Sequence, residues 1–177
     1  MIPALWLWGA AAAATGAAWY VRQRGANSAR EDQGESLETT CDPTLSTAIG
    51  WPYYFGKGSP ATPWGSGPDG VDCSGFAQMA LVKLNLLSSS APDRGARTLA
   101  DESDPVELGQ QRVGDLAYYP GHVMVVAGSP GYDGHSPVIG ASGGTSTTLG
   151  TDENARVKLF SSGAYRSDFV TYMRLRA

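Results

Sequence analysis

The sequence predicts an α+β domain built on an antiparallel sheet. Phe76, Met79, Ala80, Leu84 and Leu87 recur at helical spacing, which gives a helix of three or four turns with one apolar face. Five strand-like runs follow it: "DLAYY", "HVMVVAG", "PVIGA", "RVKLF" and "FVTYMRL", separated by Gly, Pro, Asp and Ser. One buried helix followed by successive strands, with no helix between them, is the α+β pattern.

The bulk numbers agree. A chain of 177 residues suits one domain plus an appendage, and 42% hydrophobic against 17% charged residues supports a packed core. The 23 glycines and 11 prolines imply many turns. Net charge is −4 and no Lys/Arg cluster dominates the soluble part, which argues against nucleic acid as a partner. Two cysteines allow at most one intrachain disulfide. With two widely spread histidines, no CxxC pair and no HExxH, no metal is expected.

Residues 2–21, "IPALWLWGAAAAATGAAWYV", carry no charge and are long enough, as a helix, to span a bilayer. Trp6, Trp8, Trp19 and Tyr20 sit near its ends, where interface anchors belong. A transmembrane helix is therefore expected over residues 1–22, with a buried Ala-rich helix or a cleaved leader as the alternatives. Arg22, Arg24 and Arg30 follow it, so the positive-inside rule favours a domain on the cytoplasmic side. Residues 23–40 are polar without an apolar period and read as a flexible linker, so the globular domain is expected over 41–177.

Within that domain, Asp42 as N-cap and Pro43 at the first helical position predict a short helix. Residues 56–70, "GKGSPATPWGSGPDG", read as a long Gly/Pro loop of the kind that lines sites. Residues 88–104 are polar and read as mostly loop.

"VDCSGFAQMA" places Cys73 at the expected helix start, with Asp72 as a natural N-cap. There the unpaired N–H groups and the helix dipole favour thiolate, the nucleophilic form. The plain alternative is a small buried residue. A nucleophilic cysteine needs a base, and His122 opens the core strand "HVMVVAG". His135 sits in the Gly-rich loop "GYDGHSP", where surface exposure is the default. Cys41 reads as a small packed residue, or as a redox partner that bonds Cys73 and silences it.

"WPYYFGKGSP", "DCSGF" and "VGDLAYYPGHVMVVAG", in this order, resemble the NlpC/P60 cysteine peptidases from about Ile49 to Ala141, and weakly through "FVTYMRL". The resemblance implies a reduced papain-like α+β domain, its cysteine heading a helix packed on an antiparallel sheet. It implies Cys73 as nucleophile and His122 as base. Tyr53 matches a tyrosine that lines the family's site, and Asp72 and Ser74 match residues that seat substrate. Asp115 matches a structural turn position. The implied activity is hydrolysis of amide bonds in bacterial peptidoglycan stem peptides, often between D-glutamate and a diamino acid, without a cofactor.

One departure stands out. The family carries a third polar residue on the next strand to orient the base. Aligning "PVIGAS" puts Gly140 there, so the orienter is missing, a water, or supplied from elsewhere, with His135 as the candidate third catalytic residue. Two other function classes stay open: a papain-like amidase or acyltransferase acting on another amide, and a catalytically silent wall-binding module. A small wall hydrolase with a weak N-terminal helix is also similar to phage lysis enzymes that begin tethered to the bacterial inner membrane. A virion-membrane protein used at entry is the other setting.

Overall fold

The computed structural model describes residues 41–148, 150 and 152–176; the expected membrane helix and linker lie outside the described residues. Asp42 starts the first helix as expected. Its Oδ1 accepts the N–H groups of Thr44 and Leu45 at 2.8 and 3.1 Å, and Pro43 leads α1, Pro43–Ser46. Cys41 just before it is buried at 6% exposure, a free thiol in the core.

The central helix, α2, runs Cys73–Lys83 with Asp72 as its N-cap. The expectation of one apolar face is corrected here: every residue from Gly75 to Leu81 is buried, and Leu84 and Leu87 lie beyond the helix end. The reason is close packing on the side away from the sheet. A Cβ on Gly75 would fall 2.1 Å from the Lys57 carbonyl oxygen. Phe76 is flanked by Trp51 and Trp64, with ring centroids 6.4 and 5.9 Å away. Trp64 opens a 3-10 turn, Trp64–Asp69, within the stretch expected to be loop. Phe76, Met79 and Leu81 are almost fully buried, each worth roughly 1.5–3 kcal/mol.

The stretch 88–104 also departs from expectation, holding helix α3, Ala96–Asp101, and the start of strand β1, Ser103–Val106. Leu99 anchors α3 in the core, and Arg97 and Asp101 pair across one turn at 3.0 Å. Strand β1 tolerates Pro105 because it is an edge strand, pairing only with the last strand.

The five expected strands all form: β2 Leu116–Tyr119, β3 His122–Val126, β4 Val138–Ser142, β5 Arg156–Phe160 and β6 Thr171–Leu175. They make one sheet in the order β1-β6-β2-β3-β4-β5, antiparallel throughout. Between β2 and β3 the chain turns at Pro120 and Gly121, the latter at φ 72°, the residue order a type II turn favours. Buried Asp115, just before β2, takes a fork of hydrogen bonds from Arg174 on β6, both at 2.7 Å, and the Arg112 N–H at 2.8 Å.

Alternate residues of each strand face opposite sides of the sheet. Val123, Val125, Ile139 and Ala141 pack with α2. Met124, Val126, Val138, Tyr119 and Tyr172 form a second cluster, joined by Phe160, Tyr165 and Phe169. No helix among the described residues is long and apolar enough to cross a membrane.

Candidate active site

Asp72 sets the local geometry. Its Oδ1 accepts the Gly75 N–H at 2.7 Å and the Ser74 hydroxyl at 3.1 Å, while Oδ2 accepts the Gly56 N–H at 2.8 Å. One carboxylate thus caps α2 and ties the 56–57 loop to it. Cys73, the first helical residue, is left half-buried on the wall of an open hollow of about 340 Å³. Tyr53, Phe55, Ser74, Asp93, Arg94 and Gly121 line the same hollow. Four of the expected site residues, Tyr53, Asp72, Cys73 and Ser74, therefore meet in one place.

Burial, and then the Asp72 charge, push the Cys73 thiol above its ordinary value of 9.0. Backbone N–H groups of Val123, Ser74 and Cys73 itself face the sulfur and pull the other way. Tyr53 is raised to about 12, first by burial and then by Cys73 and Asp72 beside it. The thiol is accordingly neutral at pH 7, with a ring of donors in place for the anion once it forms.

His122 is not among the residues that line the hollow, although its chain neighbour Gly121 is. No hydrogen bond joins it to Cys73 among the described residues. Its ring sits 5.6 Å from that of Tyr119, in the second cluster. Burial first, and then the Arg166 charge, lower its pKa from 6.5 to about 4, against an opposing pull from Asp168. Arg166 and Asp168 form a two-pronged ion pair, at 2.9 and 2.6 Å, and Arg166 lies 5.2 Å from the Tyr119 ring centroid. The Nε2 atom of His122 is buried without a partner among the described residues. Its neighbour in the chain, Val123, is the residue whose N–H faces the sulfur.

His135 is held by Tyr172, with Nδ1 3.2 Å from the tyrosine hydroxyl, and stacks edge-on to Phe169 at 5.6 Å. No hydrogen bond joins it to His122 among the described residues. Gly140 sits in β4 on the face it shares with Met124; a Cβ there would meet Met124 Sδ at 2.7 Å. The room for a third side chain at 140 is thus filled by a thioether from β3.

Three site residues had escaped the sequence reading: Asp93, Arg94 and Gln78. Gln78 is fully buried within α2. Its amide donates to the Ser74 carbonyl at 3.2 Å, Asp93 Oδ1 at 2.8 Å and the Arg94 carbonyl at 2.9 Å, and it accepts the Arg94 N–H at 2.9 Å. The available signal was a lone glutamine inside an otherwise apolar helix. A larger depression of about 510 Å³, between residues 60–64 and the far end of α2, has no cysteine and one charged side chain, Lys83. No group of three or more metal-binding side chains occurs among the described residues.

No protein-family model and no curated protein matches the chain. Among solved structures, it is similar to the P60 domain of an antigen from M. avium subspecies paratuberculosis, at 23% identity and a TM-score of 0.50, covering 75% of this chain and 88% of that one. It is also similar to a lipoprotein-like protein of the NLP/P60 family from Staphylococcus aureus, at 20% identity and a TM-score of 0.47, covering 76% of this chain and 39% of that one. The first likeness shows a shared fold: the antiparallel sheet with the Cys73 helix on one face is the architecture of a P60 domain.

Proposed function

We propose that this domain is a cysteine peptidase that hydrolyses an amide bond of bacterial peptidoglycan stem peptides, between D-glutamate and the diamino acid. The observation that carries the reading is the seat of Cys73: first residue of a capped helix, open to a hollow, its sulfur faced by three backbone N–H groups. The P60 fold supports it.

In this reading Cys73 is the nucleophile and His122 the base. Both are neutral before substrate binds. His122 turns about its Cα–Cβ bond from the Tyr119 side and takes the thiol proton. The thiolate attacks the amide carbonyl, and the backbone N–H groups at the start of α2 hold the oxyanion. His122 protonates the leaving amine, and water then hydrolyses the thioester. Tyr53 presents its hydroxyl to the peptide, while Asp72 and Ser74 fix the wall against which it lies. The uncharged run 2–21 serves as membrane tether, in a setting of lysis or entry.

Digestion of purified peptidoglycan by the full chain, with product masses read by mass spectrometry, tests this. The expected result is stem-peptide cleavage that falls about a thousandfold or more in both Cys73→Ala and His122→Ala, with circular dichroism unchanged. Because no hydrogen bond joins thiol and imidazole among the described residues, a silent wall-binding module is the second reading. An intact product profile from the wild-type chain would favour that module, and full activity of Cys73→Ala would overturn the assignment of the nucleophile.

A further inference from the structure

Strand β5 carries two cations that no acid answers. Every other arginine and lysine among the described residues is either paired with a carboxylate or exposed. Arg156 and Lys158 are half-buried, and neither side chain has a hydrogen bond or ion pair among the described residues. The Arg156 Nε is buried without a partner there.

Strand register places a third donor beside them. Val157 and Leu159 pack with α2, so Arg156 and Lys158 face the other side of the sheet, with Phe160. Ser142 on β4 is the direct neighbour of Arg156, and Gly140 that of Lys158. Paired residues share a face about 5 Å apart, and Arg156 and Lys158 lie about 7 Å apart along the strand. Ser142 is also half-buried, and its hydroxyl has no hydrogen bond among the described residues. Gly140 adds no side chain, and no acid occupies a position of β4 or β5. Asp152 and Glu153, in the loop before β5, are exposed, and Asp152 Oδ1 accepts the Asn154 N–H at 2.8 Å.

Two half-buried like charges, one with a buried unpaired nitrogen, weaken the fold until an anion meets them. The donor set says which anion. A guanidinium offers parallel N–H groups, an ammonium a compact charge, and a hydroxyl a third donor. A carboxylate brings one charge and two oxygens, which leaves one cation unanswered. A phosphate monoester brings nearly two charges and three strong acceptor oxygens, one for each side chain.

We propose that Ser142, Arg156 and Lys158 form a binding site for a phosphate monoester on the sheet face opposite α2. None of the three lines the Cys73 hollow, so the site is separate from the seat of the thiol and does not depend on the peptidase reading. A soluble phosphate ester and the headgroup of a phosphatidic acid present the same group to it.

The test is calorimetric binding to the full chain in detergent, at fixed ionic strength, with glycerol 3-phosphate, dihexanoyl phosphatidic acid and acetate as probes. The first two carry the same phosphate, without and with acyl chains. Glycerol 3-phosphate is expected to bind about tenfold or more tightly than acetate. Arg156→Gln and Lys158→Gln are each expected to weaken phosphate binding by about tenfold, and Ser142→Ala by about threefold. Tighter binding of the phosphatidic acid, lost in the same variants, assigns the site to a headgroup; equal binding of the two assigns it to a soluble ester. If Arg156→Gln does not fold, Lys158→Gln carries the test alone.

Equal binding of glycerol 3-phosphate by the wild type and Lys158→Gln would overturn the site. So would acetate binding as tightly as the phosphate, or no measurable binding of either phosphate. Peptidoglycan cleavage is not read in this experiment, so failure of the site and failure of the peptidase reading are told apart.

Discussion

The two faces of the sheet differ in how fully their polar groups are paired. On the α2 face they are satisfied. Asp72 accepts three hydrogen bonds, Gln78 makes four, and three backbone N–H groups face the Cys73 sulfur. On the opposite face the Tyr119 and Tyr172 hydroxyls are paired, but His122 Nε2, Ser136 Oγ and the Tyr165 hydroxyl are buried without hydrogen-bond partners among the described residues. A buried polar atom left unpaired costs about 1–3 kcal/mol. The thiol side is thus a finished seat, whereas the histidine keeps a buried ring nitrogen unpaired. On the peptidase reading proposed above, that difference makes Cys73 the preorganised partner and His122 the one that has to move.

The contrast is broken most strongly by acid. A buried, neutral His122 with a folded pKa near 4 binds fewer protons than the unfolded chain, whose histidine titrates near 6.5. Stability is therefore fully present above about pH 6.5 and is lost as pH falls toward 4, by about 3 kcal/mol from this group. Urea unfolding of wild type and His122→Gln across this range is expected to differ in slope, with the wild type steeper. Parallel curves would mean that His122 is not held neutral. The comparison between variants removes the carboxylates, which titrate in both.

A smaller effect sharpens the reading of Gly140. Gly140→His pushes its new side chain into Met124 and is expected to cost about 2 kcal/mol. Met124→Ala with Gly140→His is expected to recover part of that cost, giving a coupling of about 1 kcal/mol in a double-mutant cycle. Simple addition of the two single losses would show that the thioether does not occupy the orienter's place.

Much of this was legible in the chain. The Gly, Pro, Asp and Ser separators marked five strands, and Asp42 and Asp72 marked two helix starts because side-chain caps are local. The facing of His122 was not legible. Both faces of β3 are apolar and buried, so no polar alternation showed that His122 shares its side with Met124 and Val126 rather than with Val123 and Val125. Strand β1 was hidden by Pro105, and α3 by the lack of a side-chain cap at Gly95. The Asp93 wall was hidden because Gln78, which holds it, lies 15 residues upstream. The burial of α2 on all sides follows from the contact of Gly75 with the Lys57 carbonyl, which no helical period reports.

The pH dependence of alkylation at Cys73 tests the absence of a thiol–imidazole hydrogen bond most directly. It is measured by mass spectrometry with Cys41→Ala in the background, with and without His122→Ala. A thiol raised above 9.0 and lacking an imidazolium partner is expected to react ever faster past pH 9, with the same profile in both chains. A reactive plateau near neutral pH that disappears with His122→Ala would contradict the account, because it would mean that a thiolate–imidazolium pair already exists in the free protein.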